Sequence, residues 1–484
     1  MSKTSNKVWL IGGLDPSGGA GLMLDHRVVH SYEVLAPCVV SCMTAQSHKR
    51  CIDIRPLTCE EIIQQFEMLV AGGAPAAIKI GMIAGHDALQ TIAELISHVP
   101  VAKIIDPILA TSSGYQIADQ EWLTLFRELL LPQASLMTPN LPEAEAISGI
   151  KITDEESLQR TGHWFLEHGC KTVLIKGGHR FSPNDAEVRD LLFDENGRMH
   201  LIAPHHDYAI RGTGCFLASA VAAGLAKQQS LRDAIVYARA KLMQAMQTAL
   251  GDAQHMVLNA NTPALQLPGL TDAVVQPRAE SFAPVEADEL RLYPIVDRCE
   301  WLERLLPLGV KTVQIRIKDL LGDELEGEIK RACEIAARFS CRLYINDYWQ
   351  LAIKHGAYGV HLGQEDLAHA DLDAIQKSGL RLGISTHSYE ELARALSIRP
   401  SYVALGPIFA TTCKSMQFGP QGIAKISEWV QFADCPVVAI GGLKPEHASA
   451  VLQQGAAGLA LISDITGAAD PEGRTRVWLK SISS

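Results

Sequence analysis

The chain has 484 residues, 47% apolar and 20% charged, with a formal net charge of −11 at pH 7. This composition excludes an extended disordered chain, leaves room for two or three separate cores, and offers no basic stripe for nucleic acid. The 11 cysteines show neither Cys-x-x-Cys pairs nor the spacing of a disulfide framework, as expected of a reducing cytoplasm without structural zinc. No apolar run approaches the ~20 residues of a membrane span, and the start of the chain lacks the apolar stretch of a secretion signal. The expectation is a cytoplasmic protein with small-molecule partners, no nucleic acid and no membrane.

Val8–Ile11 reads as a buried strand, followed by the loop Gly12-Gly13-Leu14-Asp15-Pro16-Ser17-Gly18-Gly19-Ala20-Gly21. No Gly-Lys-Ser/Thr closes it, so it is not a Walker loop. Its glycines suit either close approach of the backbone to a small ligand or a plain strand-to-helix turn. Strand patterns follow at Ala77–Met82, Ala102–Asp106 and Thr172–Lys176, with helical patterns near Glu60–Ala71, Asp87–Val99 and Glu156–His168. The alternation predicts an α/β sheet, mostly parallel, with ligands at the carboxyl edge.

Polar residues stand at that edge. Asp106 ends a strand and suits Mg²⁺. Asn140 and Glu143, spaced Asn-x-x-Glu, suit a metal-bound phosphate reached through water. Lys176 suits a nucleotide phosphate as a point charge. Each also suits a helix cap or a surface polar group. Last comes Arg211-Gly212-Thr213-Gly214-Cys215, opening an apolar helix, Phe216–Lys227. A glycine-spaced turn at a helix start presents backbone N–H groups to an anion, and a thiol placed there is expected to have a lowered pKa.

Four motifs together resemble the ribokinase-like superfamily, and within it bacterial hydroxymethylpyrimidine/hydroxymethylpyrimidine phosphate kinases: Asp15-Pro16-Ser17-Gly18-Gly19-Ala20-Gly21, Thr138-Pro139-Asn140-Leu141-Pro142-Glu143-Ala144, Lys176-Gly177-Gly178-His179 and Gly212-Thr213-Gly214-Cys215. The resemblance covers about residues 7–255 and implies an α/β/α fold using Mg²⁺ and ATP. It implies catalytic roles for Gly212, Gly214, Cys215 and Lys176, with nucleotide or Mg-phosphate contacts at Asp106, Asn140 and Glu143. Asp15, Gly19 and Gln46 would hold the aminopyrimidine. Gln46 matches the family glutamine, whose amide both donates and accepts. The family often has Ile-Gln-Ala-Asp after the glycine-rich loop, where this chain has Leu22-Met23-Leu24-Asp25. It often has His where this chain has Arg211. A kinase for a pyridoxal-like alcohol, or a non-catalytic binding module, is the alternative for this half.

Residues 257–288 lack periodicity and hold Pro263, Pro268, Pro277 and Pro284, which predicts a linker between domains at 1–256 and 289–484, the alternative being an ordered C-terminal extension of the first domain. Beyond it, strand patterns recur at Leu292–Val296, Thr312–Ile317, Arg342–Ile345, Gly359–Leu362, Arg381–Ile384, Tyr402–Leu405, Val437–Ile440 and Gly458–Ile462. Eight strands separated by helical or loop segments predict a (β/α)₈ TIM barrel, with its chemistry at the strands' C-terminal ends. Polar clusters fall there. Arg316, Lys318 and Lys414 are cations for a polyphosphate, and Asp347 and Asp366 are hard oxygen ligands for Mg²⁺. Gly441-Gly442 and Ser463 stand at the usual barrel phosphate site.

The motifs Gln314-Ile315-Arg316-Ile317-Lys318, Ile345-Asn346-Asp347-Tyr348, Gly359-Val360-His361-Leu362-Gly363-Gln364-Glu365-Asp366, Gly406-Pro407 and Ala439-Ile440-Gly441-Gly442 resemble thiamine phosphate synthases over about residues 289–475. That resemblance implies contacts to a pyrimidine diphosphate from Gln314, Arg316, Lys318, Asn346, Ser385 and Lys414. Mg²⁺ would be held by Asp347 and Asp366. A thiazole phosphate would meet Thr411, Thr412, Cys413, Gly442, Ile462 and Ser463. The family commonly has Thr-x-Thr-Lys where this chain has Thr411-Thr412-Cys413-Lys414, so one hydroxyl is missing. His361 and His387 read as structural residues at strand ends. Together the two resemblances imply a bifunctional enzyme of thiamine biosynthesis, in which one half makes what the other consumes. They also imply self-association.

Overall fold

The computed structural model describes residues 6–47, 49–111, 113–177, 186–205, 210–252, 255–410 and 418–483. It divides into two compact units, Met1–Ala273 and Val274–Ser484.

The first unit is built on a ten-stranded sheet. Its strands are β1 (Val8–Leu14), β2 (Cys38–Gln46), β3 (Cys51–Pro56), β4 (Ala77–Ile80), β5 (Ala102–Ile105), β6 (Leu136–Met137), β7 (Val173–Ile175), β8 (Glu187–Asp194) and β9 (Gly197–Pro204), with β12 (Gly269–Thr271) added at one edge. A separate hairpin pairs β10 (Leu250–Asp252) with β11 (His255–Val257). The run β7-β6-β5-β4-β1-β2 is parallel. The sheet is mostly parallel, as the sequence predicts, and β3, β8, β9 and β12 add antiparallel pairings on its two sides. Those four lie outside the buried centre, where strands need not be continuously apolar, so their patterns are faint.

The central strands are buried along their length, and Trp9 meets the edge of Phe66 at 5.3 Å between ring centroids. Capping boxes start three helices: Thr58 with Glu61 for Cys59–Ala71, Asn140 with Glu143 for Leu141–Ser148, and Asp154 with Ser157 for Glu155–Glu167. The helix Thr213–Ala226 has no polar face, and it is buried almost throughout, as an all-apolar helix must be.

Beneath that helix lies an ion pair removed from water. Lys79 Nζ is 2.7 Å from Asp25 Oδ2, with both side chains 1% exposed, and Asp25 also accepts from Ser219 at 2.8 Å. Replacing Lys79 with methionine would strand the carboxylate. The expected cost is about 3–5 kcal/mol, and the double variant Asp25→Leu/Lys79→Met should recover much of it. Denaturant unfolding of the three proteins checks both statements.

The second unit is a closed barrel of eight parallel strands in sequence order: β13 (Leu292–Val296), β14 (Thr312–Ile315), β15 (Arg342–Asn346), β16 (Gly359–Leu362), β17 (Arg381–Thr386), β18 (Tyr402–Leu405), β19 (Val437–Ile440) and β20 (Gly458–Leu461). Each lies where the sequence pattern puts a strand. The interior carries Tyr293, Tyr344 and Tyr402, and large rings need small seats opposite them. A Cβ at Gly359 would come within 2.5 Å of the Tyr344 ring, and one at Gly383 within 2.1 Å of the Tyr402 ring.

The stretch 257–288 is shared between the units. β12 joins the first sheet. Further on, the backbone N–H groups of Arg278 and Phe282 donate to the carbonyls of Ser397 and Arg399 in the second unit.

Candidate functional sites

In the first unit, the carboxyl ends of the parallel strands converge on the start of the helix Thr213–Ala226. Gly212 precedes it at φ 83°, a left-handed conformation open to glycine, and as the N-cap residue it gives the first turn no side-chain hydrogen bond. The turn packs on the glycine-rich loop so closely that a Cβ at Gly212 would lie 2.3 Å from the Gly19 carbonyl oxygen. A Cβ at Gly214 would lie 2.8 Å from Lys176 Nζ and 3.1 Å from an Asp106 oxygen. The helix mouth and the Lys176–Asp106 pair therefore form one surface.

Lys176 Nζ bonds Asp106 Oδ1 at 2.9 Å and stands 4.0 Å from Glu143 Oε2. Asp106 also accepts from Thr138 at 3.0 Å. Burial works against its charge, but Lys176 and Lys79 hold the Asp106 carboxyl below its ordinary value. One of its oxygens thus carries both bonds, and Lys176 neutralises the carboxylate. A Mg²⁺ held directly at Asp106, as the sequence suggests, would share this carboxylate with Lys176 and use the oxygen that carries neither bond. Asn140 and Glu143 form a capping box, each side chain accepting from the other's backbone N–H at 2.8 Å. Burial, with the Asp106 charge adding to it, pushes Glu143 up to about 7 against the pull of Lys176.

Cys215 corrects an expectation. Its thiol is not lowered by the helix start. Burial pushes it up to about 12, Lys79 pulls the other way, and Asp25 and Asp106 add to the rise. The side chain is buried with an intact ion pair behind it, and desolvation outweighs the helix dipole.

Arg211 ties the other end of the site together. It donates to Gln46 Oε1 at 2.9 Å and to the Ser47 carbonyl at 2.8 Å, and it reaches Asp15 Oδ2 at 3.4 Å. Asp15 is buried and accepts from Ser17 N at 2.9 Å and Ser17 Oγ at 2.7 Å. Asp15, Gly19, Gln46 and the glycine turn, far apart in sequence, are thus brought together around Arg211 and Gly212. The sequence marks Arg211 only as a departure from a motif and does not disclose its bridging role.

In the second unit the polar residues gather at the C-terminal ends of the barrel strands. Lys318 Nζ meets Asp347 Oδ2 at 2.5 Å. Asp347 adopts φ 66° just past β15, and its backbone N–H is held by the His361 carbonyl at 3.0 Å. Asp366 accepts from Gly363 N at 3.0 Å. Burial, then the charge and hydrogen bond of Asp347 beside it, raise the Asp366 carboxyl. Two carboxyl groups within hydrogen-bond reach of each other, with a lysine alongside, favour either a shared proton or a divalent cation. That pair, with phosphate oxygens completing the shell, fits Mg²⁺.

Gln314 and Asn346 are buried. Gln314 donates to Tyr293 Oη at 3.2 Å. Ser385 Oγ bonds His361 Nε2 at 2.8 Å, and the Ser385 carbonyl accepts from Gln364 at 2.8 Å. Burial pushes His361 down to about 4 although Asp347 opposes it. Gly441 and Gly442 take φ 97° and 62°. A Cβ at Gly442 would sit 2.6 Å from the Ala410 carbonyl oxygen, so only glycine lets this turn close. Ile462 and Ser463 begin a short helix, Ser463–Thr466, after the eighth strand. Thr411, Thr412, Cys413 and Lys414 lie outside the described residues. Among the described residues no helix is long and apolar enough to cross a membrane.

Comparison with known proteins divides the chain in the same way. Residues 15–258 match the family model of phosphomethylpyrimidine kinase, and residues 292–465 match that of thiamine monophosphate synthase. The thiamine-phosphate synthase of Photorhabdus laumondii is 56% identical over 190 residues, 39% of this chain and 88% of that protein. The thiamine-phosphate synthase of Cronobacter sakazakii is 53% identical over 200 residues, 41% of this chain and 95% of that protein. Among solved structures, pyridoxal kinase from Staphylococcus aureus aligns with a TM-score of 0.50 at 22% identity. It covers 55% of this chain and 97% of its own, and the likeness is one of fold.

Proposed function

The chain belongs to the phosphomethylpyrimidine kinase family through its first unit and to the thiamine-phosphate synthase family through its second, and from that premise we propose how one bifunctional enzyme of thiamine biosynthesis divides its work. Residues 1–256 act as the kinase and 289–484 as the synthase. The kinase phosphorylates 4-amino-5-hydroxymethyl-2-methylpyrimidine and then its monophosphate. The synthase joins the resulting diphosphate to 4-methyl-5-(2-phosphooxyethyl)thiazole, giving thiamine phosphate and pyrophosphate.

In the kinase, ATP is the phosphoryl donor. Asp15, Gly19 and Gln46 hold the pyrimidine alcohol, with Gln46 oriented by Arg211. Phosphoryl transfer asks a protein mainly for positioning and for stabilisation of spread negative charge. The backbone of Gly212–Cys215 and the ammonium of Lys176, packed against Gly214, supply that stabilisation. Cys215 would serve either as the base that takes the hydroxyl proton, once its own thiol proton has left, or as a member of the anion hole.

In the synthase, the C–O bond to the diphosphate breaks and the thiazole nitrogen forms a bond to the same methylene carbon. The electron-rich aminopyrimidine supports the developing positive charge, and the leaving group carries the negative charge. The protein's task is therefore to stabilise pyrophosphate rather than to provide a nucleophile. Arg316, Lys318, Asn346, Ser385 and Lys414 hold the diphosphate, and Gln314 holds the pyrimidine. Asp347 and Asp366 would hold Mg²⁺, which would neutralise charge on the departing oxygens. Thr411, Thr412, Cys413, Gly442, Ile462 and Ser463 receive the thiazole phosphate.

The observation that carries the synthase reading is the Asp347–Asp366 pair beside Lys318 at the barrel rim. The test supplies the purified chain with hydroxymethylpyrimidine, ATP, Mg²⁺ and the thiazole phosphate. Thiamine phosphate should appear only when all four are present. Its absence, with the protein folded, would reject the reading.

A further inference from the structure

Five polar side chains form an unbroken hydrogen-bonded chain across the barrel core. Gln314 Nε2 donates to Tyr293 Oη at 3.2 Å. The Tyr293 and Tyr402 hydroxyls lie 2.9 Å apart. Tyr402 Oη is 2.8 Å from His361 Nδ1, and His361 Nε2 is 2.8 Å from Ser385 Oγ. The two ends are residues assigned above to the pyrimidine diphosphate, and the three in the middle are not part of that assignment.

We propose that Tyr293, Tyr402 and His361 are positioning residues that fix Ser385 as a hydrogen-bond donor toward the pyrimidine diphosphate, an inference that rests on the assignment of Ser385 to that substrate. The protons in this chain have one self-consistent order. An amide nitrogen only donates, so the Tyr293 oxygen accepts from Gln314. Among the described residues, the acceptor that remains for the Tyr293 proton is Tyr402. Tyr402 then gives its own proton to Nδ1 of His361. The imidazole carries its hydrogen on Nε2 and donates to Ser385 Oγ. With its oxygen already accepting, Ser385 is left with an O–H to give, which is what an anionic oxygen of the substrate needs.

The reverse order fails on counting. If His361 donated from Nδ1, whether neutral or doubly protonated, Tyr402 would have to turn its proton onto Tyr293. The Tyr293 proton would then be stranded in the core, a state that buried donors avoid. The rings are also held in place. Tyr402 sits over Gly383, where a Cβ would lie 2.1 Å from its Cζ. Tyr293 meets Tyr402 edge-on at 6.0 Å between centroids.

The test uses the full chain, an assay of thiamine phosphate formation from the pyrimidine diphosphate, and kinase activity as an internal control. Tyr402→Phe keeps the ring and deletes the hydroxyl that joins the two halves. Its kcat/KM for the pyrimidine diphosphate should fall about 10-fold, the scale of one oriented hydrogen bond. The KM for thiazole phosphate should not change. Ser385→Ala should fall at least as far, and adding Tyr402→Phe to it should cost nothing more, because both act through one hydroxyl. Tyr293→Phe, read in the same way, serves if Tyr402→Phe does not fold. Wild-type kinetics in the tyrosine variant that folds, or losses that multiply in the double variant, would overturn the proposal. Wild-type kinetics in Ser385→Ala would remove the substrate assignment beneath it, and the proposal with it.

Discussion

Replacing Asp366 with alanine is expected to lower thiamine phosphate formation by about 10³-fold, the upper range for losing one preorganised charge-stabilising element, while the same molecule phosphorylates hydroxymethylpyrimidine at its normal rate. Asp366 sits beside Asp347, with its carboxyl raised by burial and by that neighbour. One oxygen is fixed by Gly363 N–H at 3.0 Å. Each carboxylate alone is a poor site for a strongly hydrated cation, and together they form the acidic half of one. Truncating Asp366 leaves Asp347 facing Lys318 at 2.5 Å, an ion pair that competes with the metal rather than recruiting it. The Mg²⁺ concentration needed for half-maximal rate should therefore rise as the rate falls. Steady-state assays of both activities across a Mg²⁺ series decide the matter, and coupling retained within 10-fold would refute the ligand assignment.

Cys215→Ala is expected to lower kinase turnover by about 10²–10⁴-fold, the scale of a positioned general base, and to leave the synthase intact. The backbone donors of the helix mouth survive this change, so the loss isolates the sulfur. The raised thiol gives the role a pH signature. With the thiol at about 12, the ionised form is scarce near neutrality and grows about tenfold per pH unit below that value. A proton taken by sulfur therefore predicts a kinase rate that climbs with pH through the neutral and mildly alkaline range, and a climb that disappears in Cys215→Ala. Identical profiles in the two proteins, or unchanged turnover in the variant, would leave phosphoryl transfer to the glycine turn and Lys176 alone.

The barrel was legible from sequence because each strand is short, apolar and followed at once by polar residues. The structure keeps all eight, with ends shifted by two residues or fewer, as at Thr312–Ile315 and Arg381–Thr386. The kinase edge was legible for the same reason at Asp106 and Lys176. Less could be read where the determinant is a long-range meeting of side chains. Tyr293 and Tyr402 are 109 residues apart in sequence and touch only because the barrel closes. Arg211 and Gln46 are separated by 165 residues. The antiparallel strands were missed because half-exposed strands alternate weakly and resemble loops. The Cys215 expectation failed on desolvation. A helix start is visible in sequence, but the depth of the side chain beneath it is not.

The glycine seats under the barrel's phenol rings bear on how this half of the protein drifts over time. Tyr344 over Gly359 and Tyr402 over Gly383 are matched volumes, so a change on one strand is tolerated only with a reciprocal change on its neighbour. Shrinking the ring alone opens a void, and enlarging the glycine alone drives a methyl group into an aromatic face. Lineages carrying these seats should therefore exchange such residues in pairs, or not at all.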